Sequence, residues 1–443
     1  MTMTEAPPGR LESRLPESKP QYSPGEAHAE AERCLFCTDA PCVAACPTEI
    51  DIPGFIRQIA TGDTLGAART IFTQNILGYS CARVCPVEVL CVGACVYNPW
   101  HKPPIQIGRL QRFATEATLD AEARGGPKAL RPKGMVATAR KVALLGAGPA
   151  SLACAAYLAL EGHRPVIFEK RALPGGLNTT GIAPSTIHPE EALREVDYVR
   201  SLGVEIRCGV EAGVDLPAAS LLADYDAVFL GLGLGSDTRL VVPGEDGPGV
   251  WGATAFIEAM KNTAGFTLPT ERKALVVGGG NTAIDVAREL SQLGVAEVAM
   301  VYRRGVADMS GYTHEMDLAR REGVLLHTHC TPVAVLRDAA GAVTGLRVRR
   351  ADGREDDLAG DLIVLAIGQQ KLRALAAEFT GVALDRRGCV EVDAATRRTG
   401  NPKVYAGGDC INGGKEVVNA VADGREAARA MLRAWSNEGT THG

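Results

Sequence analysis

Lys141-Val-Ala-Leu-Leu-Gly-Ala-Gly-Pro-Ala-Ser151 is the stretch on which the reading of this chain turns. Its first five residues form a short apolar strand. Gly146, Gly148, Pro149, Ala150 and Ser151 then open an alanine- and leucine-rich helix, and a second strand, Pro165-Val-Ile-Phe168, ends in Glu169. Gly146 allows a tight turn, Gly148 lets the backbone approach a pyrophosphate, and the helix N-terminus favours negative charge there. Glu169, 23 residues after Gly146, is placed to hydrogen-bond a ribose hydroxyl. A glycine run alone says little. Strand, helix, strand and terminal acid in register make a βαβ dinucleotide unit.

A second copy lies downstream. The strand Ala274-Leu-Val-Val277 leads into Gly278-Gly-Gly280-Asn281-Thr282-Ala283, a helix, and the strand Glu297-Val-Ala-Met-Val-Tyr302. This one ends in Arg303-Arg304 where the first has an acid. Guanidinium groups at that position suit a 2′-phosphate, although a solvated basic pair at a strand end has the same sequence. The first site is therefore read as FAD and the second as a nicotinamide nucleotide.

Further out, Val404-Tyr-Ala-Gly-Gly408-Asp409 forms a strand and turn, followed by a helix beginning near Glu416–Val418. Glycines there allow close approach to a flavin's ribityl-phosphate, Asp409 can accept from its hydroxyls, and the helix N-terminus stabilises negative charge on the ring. Gly176 and Leu177 are assigned to the flavin as well, although Pro174-Gly-Gly is also a simple turn. The apolar runs 227–231 and 362–368 mark crossings between two nucleotide domains. The expected division is 1–135 for a helical cysteine domain, 136–262 and 372–443 for a split FAD domain, and 263–371 for the inserted NAD(P)H domain. The fold class is α/β, with two Rossmann-like units after a helical one.

Eight of the 13 cysteines fall between Cys34 and Cys95. The first block is Cys34, Cys37, Cys42, Cys46-Pro47; the second is Cys81, Cys85-Pro86, Cys91, Cys95. A cubane cluster needs four converging ligands, and a Cys-Pro ending such a run typically serves the other cluster of a pair. Paired cysteines also suit zinc, but two Cys-Pro pairs and gaps of four and five residues fit paired clusters better. Ser23-Pro-Gly-Glu26 has the form of a capping box starting a helix through 27–33. Segments 52–68 and 69–78 read as helical. The other five cysteines read as small buried residues.

Composition narrows the class. The net charge of -5 leaves no basic excess for nucleic acid. No apolar run is long enough for a membrane span, and the polar, proline-rich lead-in has no signal-peptide core. The expected compartment is the cytoplasm.

Together, the cysteine blocks, Gly-Arg-Leu-Gln-Arg-Phe-Ala-Thr-Glu (108–116), Gly-Ala-Gly-Pro-Ala-Ser and the Gly-Gly-Asp turn resemble the N-terminal half of dihydropyrimidine dehydrogenase. They are similar to its separate bacterial electron-input subunit and, more distantly, to the small subunit of glutamate synthase. The likeness runs from about Ala29 to Ala430. It implies one [4Fe-4S] cluster on Cys34, Cys37, Cys42 and Cys95, and another on Cys46, Cys85, Cys91 and the side chain of Gln111, with Cys81 outside both. Gln111 and the longer gap from Cys85 to Cys91 follow the dihydropyrimidine dehydrogenase pattern; the glutamate synthase type generally has a glutamate and a shorter gap. The resemblance also implies electron flow from NADPH or NADH through FAD. The expected acceptor is an FMN and iron–sulfur catalytic subunit that reduces uracil or thymine, held in a hetero-oligomer. Two departures stand out: 182–188 lacks the basic residue expected near Thr186, and Ser310 stands where an additional arginine would meet a 2′-phosphate.

Overall fold

The computed structural model describes residues 10–440, except 12–14, 16, 18 and 269–271, with backbone alone for 438–440. Helices come first. Ser23 caps the helix Pro24–Glu32 through a reciprocal bond with Glu26. The two helical segments expected at 52–68 and 69–78 are divided differently, as Ile52–Ala60, Thr64–Gln74 and Gly78–Val84. Gly62 turns left-handed (φ 81°), and Asp63 accepts from the Gly66 N–H at 2.8 Å to restart the chain as a new helix. Phe55, Ile56, Ile71, Leu110 and Ala114 form the core of this unit, with Cys34, Cys42, Cys46, Cys85 and Cys91 packed against it. The helix Ile107–Ala123 completes it.

Next comes a parallel sheet of β1 (Lys141–Leu145), β2 (Arg164–Glu169), β3 (Glu205–Cys208) and β4 (Ala227–Leu230). β1 and β4 are apolar almost throughout because helices cover both faces. The chain then crosses to a second unit containing β5 (Val250–Gly252), β6 (Lys273–Val277), β7 (Glu297–Val301) and β8 (Leu325–His327). β9 (Thr331–Arg337), β10 (Val343–Arg349) and β11 (Glu355–Ala359) make an antiparallel sheet beside it. β12 (Leu362–Leu365) returns to the second parallel sheet, and β13 (Val404–Ala406) returns to the first.

The strand orders are β13-β4-β1-β2-β3 and β5-β12-β6-β7-β8. Each sheet winds one way from its first glycine-loop strand and then resumes on that strand's other side. The reversal opens a crevice at the carboxyl ends of β1/β4 and of β6/β12, where open α/β sheets bind ligands. Both glycine loops sit there. A Cβ on Gly146 would lie 2.6 Å from Gly231 O, and one on Gly278 would lie 2.3 Å from Ala366 O.

The expected boundary at 262 is corrected. β5 pairs with β12, and Ala253, Phe256, Ile257 and Met260 of the helix Ala253–Asn262 are buried with Val276 and Val286. The second unit therefore starts at the crossing, where Gly235 N–H donates to Gln370 O (2.7 Å) and Thr238 N–H to Gly368 O (2.8 Å). The polar stretch after 262 resembles a linker in composition, whereas the apolar face of 253–262 commits that helix to the second sheet.

The lead-in also differs from a free polar segment. Among its described residues, Leu11 and Leu15 are buried in the core of the second sheet, and Glu17 pairs with Arg112 at 2.8 Å. No helix among the described residues is long and apolar enough to cross a membrane.

Candidate cofactor sites

A cleft of ≈ 1930 Å³ is lined by all three units. Gly146, Gly148, Pro149 and Ala150 form its floor, with Glu169, Gly176, Leu177, Gly408 and Asp409 around them. Gly176, with φ 58°, crosses so close to the first loop that a Cβ would lie 2.8 Å from Gly148 Cα. Gly175 N–H donates to Ala147 O at 2.9 Å and holds this crossing. Glu169 accepts from the N–H groups of Ala147 (2.7 Å) and Arg171 (2.8 Å), one on each oxygen, leaving lone pairs for a ribose. Asp409 accepts from Lys415 N–H at 3.1 Å through Oδ1, and burial pushes its carboxyl above the usual range. The orphan N–H groups at the start of the helix Val417–Thr440 offer positive potential to the same cleft.

Two residues assigned to the flavin by sequence keep their side chains off the cleft wall. Ser151 is fully buried beneath the loop, its Oγ without a hydrogen-bond partner and close to Gly231. Val418 is buried in the core, and the neighbouring Val417 faces the cleft. One helical step of about 100° separates their directions, and sequence alone does not set the rotation of a helix whose start is uncertain by a residue.

Gly278, Gly280, Asn281 and Thr282 line the other end of the cleft with Arg303, Arg304 and Ser310. Asn281 Oδ1 accepts from Tyr312 N–H at 2.9 Å. Both arginines are exposed; Arg304 donates to the Tyr302 hydroxyl at 2.8 Å. Sequence reading missed Asp285 and Glu315, which also line this end. Burial pushes the Asp285 carboxyl up to about 7, Glu315 and Glu416 add to the shift, and Arg288 opposes it. Asp285 stands one helical turn beyond Asn281, the one signal that could have found it.

The cysteines divide into two places. Cys34, Cys37, Cys42 and Cys95 ring a small pocket walled by Ile52, Ile56, Ile105 and Ile107. Burial, with Cys34 and Cys95 nearby, pushes the Cys42 thiol up to about 11. Cys85 and Cys46 face Cys91, whose thiol burial raises strongly. Cys85 is raised by a hydrogen bond with Cys81 and by burial. Such thiols need a cationic partner to ionise, which iron supplies on binding. Among the described residues, no three His, Cys, Asp or Glu side chains close on a point where one ion would sit. The first four thiols ring a volume, an arrangement that fits a cluster better than lone zinc. Gln111 is buried; its Nε2 donates to Gly78 O at 2.7 Å, leaving Oε1 as the free acceptor. Cys81 and Gln111 therefore both stand at the helix Gly78–Val84, which leads into Cys85.

The cleft reaches the second cysteine site directly. Cys85, Pro86, Val87 and Glu88 line it beside the flavin loops, whereas the Cys34 pocket is separate. The pyridine nucleotide-disulphide oxidoreductase family matches residues 140–424, and dihydropyrimidine dehydrogenase domain II, 4Fe-4S cluster, matches residues 11–123. The chain belongs to the pyridine nucleotide-disulphide oxidoreductase family. This oxidoreductase is an iron–sulfur flavoprotein that uses a pyridine nucleotide. It is 37% identical to the NAD-dependent dihydropyrimidine dehydrogenase subunit PreT of Escherichia coli K12, over 94% of this chain and 96% of that one. It is 35% identical to the glutamate synthase [NADPH] small chain of Halomonas elongata, over 93% and 91%. The oxidoreductase also shares its fold with T. acidophilum thioredoxin reductase, at a TM-score of 0.56 and 22% identity, over 67% of this chain and 99% of that one.

Proposed function

We propose that the chain is the electron-input subunit of an NAD(P)H-dependent dihydropyrimidine dehydrogenase. Its partner would be an FMN and iron–sulfur catalytic subunit that reduces uracil or thymine, bound as a hetero-oligomer in the cytoplasm. The observation that carries this reading is the shared cleft: the glycine loops of both nucleotide units and the Cys85 block line one space. The residues lining this cleft would hold FAD and a nicotinamide nucleotide, and the two cysteine sites would hold [4Fe-4S] clusters; these groups would supply two-electron chemistry at the flavin and one-electron transfer at the clusters.

The chain's own residues bind and orient. Gly146 and Gly148 admit the flavin pyrophosphate, Glu169 accepts from the adenosine ribose, and Asp409 accepts from the ribityl chain. Gly278, Gly280, Asn281 and Thr282 receive the nicotinamide nucleotide. Arg303 and Arg304 suit the 2′-phosphate of NADPH, while Ser310 leaves NADH open as donor. Cys34, Cys37, Cys42 and Cys95 would hold one cluster; Cys46, Cys85, Cys91 and Gln111 Oε1 would hold the other. The hydride step needs no side-chain acid or nucleophile, so the protein supplies position and electrostatics.

A glutamate synthase small-subunit role is the second reading, favoured by relatives of that name at similar identity. The neutral amide of Gln111 supports the first. Anaerobic purification should yield about eight irons and one FAD per chain, from two four-iron clusters and one flavin site. Either NADH or NADPH should bleach the flavin. Gln111→Ala should alter the electron paramagnetic resonance spectrum of one cluster. Uracil reduction on mixing with a pyrimidine-reducing FMN subunit supports the proposal; glutamine-dependent glutamate formation with an amidotransferase partner would replace it with the second reading.

A further inference from the structure

The lead-in is anchored in all three units. Arg10 pairs with Glu190 of the flavin unit, while Leu11 and Leu15 are buried under the second sheet. Glu17 binds Arg112 of the helix Ile107–Ala123 through two bonds of 2.8 and 3.0 Å. From the same helix, Arg112 donates to Lys19 O, and Arg109 donates to Pro20 O at 2.9 Å. Arg109 also covers the Tyr22 ring at 3.6 Å. The backbone of Lys19 is thus held on both sides by the helix that carries Gln111.

This anchoring directs one charge. Lys19 lines the cleft, and its Nζ donates to Cys85 O at 2.7 Å. Cys85 is both a cleft residue and a member of the second cysteine site. Glu416, which immediately precedes the helix Val417–Thr440, lines the same cleft. Glu416 is itself tied to the Tyr312 hydroxyl at 2.6 Å.

We propose that Lys19, carried in by the N-terminal strap, is an electrostatic positioning residue that raises the reduction potential of a cluster at the second cysteine site. The inference rests on the proposed iron–sulfur reading of that site. A reduced cluster is one charge more negative than the oxidised one, and an ammonium bound to a ligand residue's carbonyl stabilises the reduced form more. In a partly buried site little solvent screens that difference. Lys19 would thereby make electron entry from the flavin side easier. It would scarcely affect the other cluster, whose pocket the cleft does not reach.

The test is a redox titration of the full anaerobic chain followed by electron paramagnetic resonance, with Lys19→Met and Lys19→Arg beside the parent. Lys19→Met should lower the midpoint of one cluster by about tenfold in its equilibrium constant, about 59 mV for one electron. The other midpoint should stay in place, and Lys19→Arg should retain the parent values. Iron and sulfide counts equal to the parent would show the variants are intact. Two clusters with midpoints unmoved by Lys19→Met, or both moved equally, would overturn this inference and leave the proposed function standing. A parent chain holding no second cluster would sink both.

Discussion

Glu195 offers a sharp test of how the cysteine unit is held to the flavin unit. Its carboxylate comes from the helix Pro189–Ser201 and reaches the start of the helix Gly78–Val84. There it accepts from Tyr79 N–H at 2.9 Å and from Ser80 N–H at 3.1 Å. The helix dipole and these donors favour the anion, but the side chain is 1% exposed. Burial wins and pushes the carboxyl from its ordinary 4.5 to about 7. Because the folded value is raised, the associated stability is fully present below about 4.5 and is lost as pH rises through about 7. At 1.36 kcal/mol per pH unit that loss is roughly 3 kcal/mol, about 2 of which falls between pH 5.5 and 8. Glu195→Gln removes the titration while keeping an oxygen for both N–H groups. Its amide can also meet the buried Ser80 hydroxyl, which lies beside the carboxylate. Melting scans of parent and variant at one rate, under anaerobic conditions, give the comparison. The variant should gain on the parent steadily from pH 5.5 and level off above about 7.5. A gap independent of pH would refute the argument that burial dominates at Glu195. Asp285 titrates in the same range but is common to both proteins, so the difference between them isolates Glu195.

Three further outcomes follow from single contacts. Lys261 is fully buried and donates to the carbonyls of Asn178 (3.1 Å), Ile182 (2.9 Å) and Ile187 (2.9 Å), so Lys261→Met should cost about 3 kcal/mol. Because that segment lines the cleft, flavin should also leave faster on dilution, and an unchanged release rate would show that the segment holds itself. Gly176→Ala puts a Cβ against the Gly148 backbone and should weaken FAD binding by at least about tenfold, read by flavin fluorescence titration. Replacing Arg303 and Arg304 together by Gln should raise the KM for NADPH about tenfold while sparing NADH, since only the former has a 2′-phosphate. Equal changes for both nucleotides would remove that role.

Much of the fold is legible in the chain because its signals are local. The strand Lys141–Leu145, the glycine loop and Glu169 lie within one βαβ unit, and the turn at Gly146 has a steric reason that no distant residue alters. The same holds for the Ser23 capping box and for the cysteine spacings, which bring thiols together on short loops. Failures occur where the answer depends on packing. The helix Ala253–Asn262 belongs to the second unit because of an apolar face whose partner sheet is assembled mostly from later residues. Val417, not Val418, faces the cleft because the rotation of the last helix is set by its contact with the helix Pro149–Leu160, so close that a Cβ on Gly424 would meet Ala150 O at 2.1 Å.

By itself, then, the sequence determined two dinucleotide-type units, a cysteine unit and the chemistry each is suited to. Those follow from periodicity, turn sterics and ligand spacing over a few dozen residues. Only the tertiary structure decided that the Cys85 block and both glycine loops share one cleft, that Glu195 caps a helix more than 100 residues away, and that Lys19 is aimed at Cys85. Coulomb and hydrogen-bond energies depend on distance in space. The distances that matter here are set by how three separately legible units pack against one another.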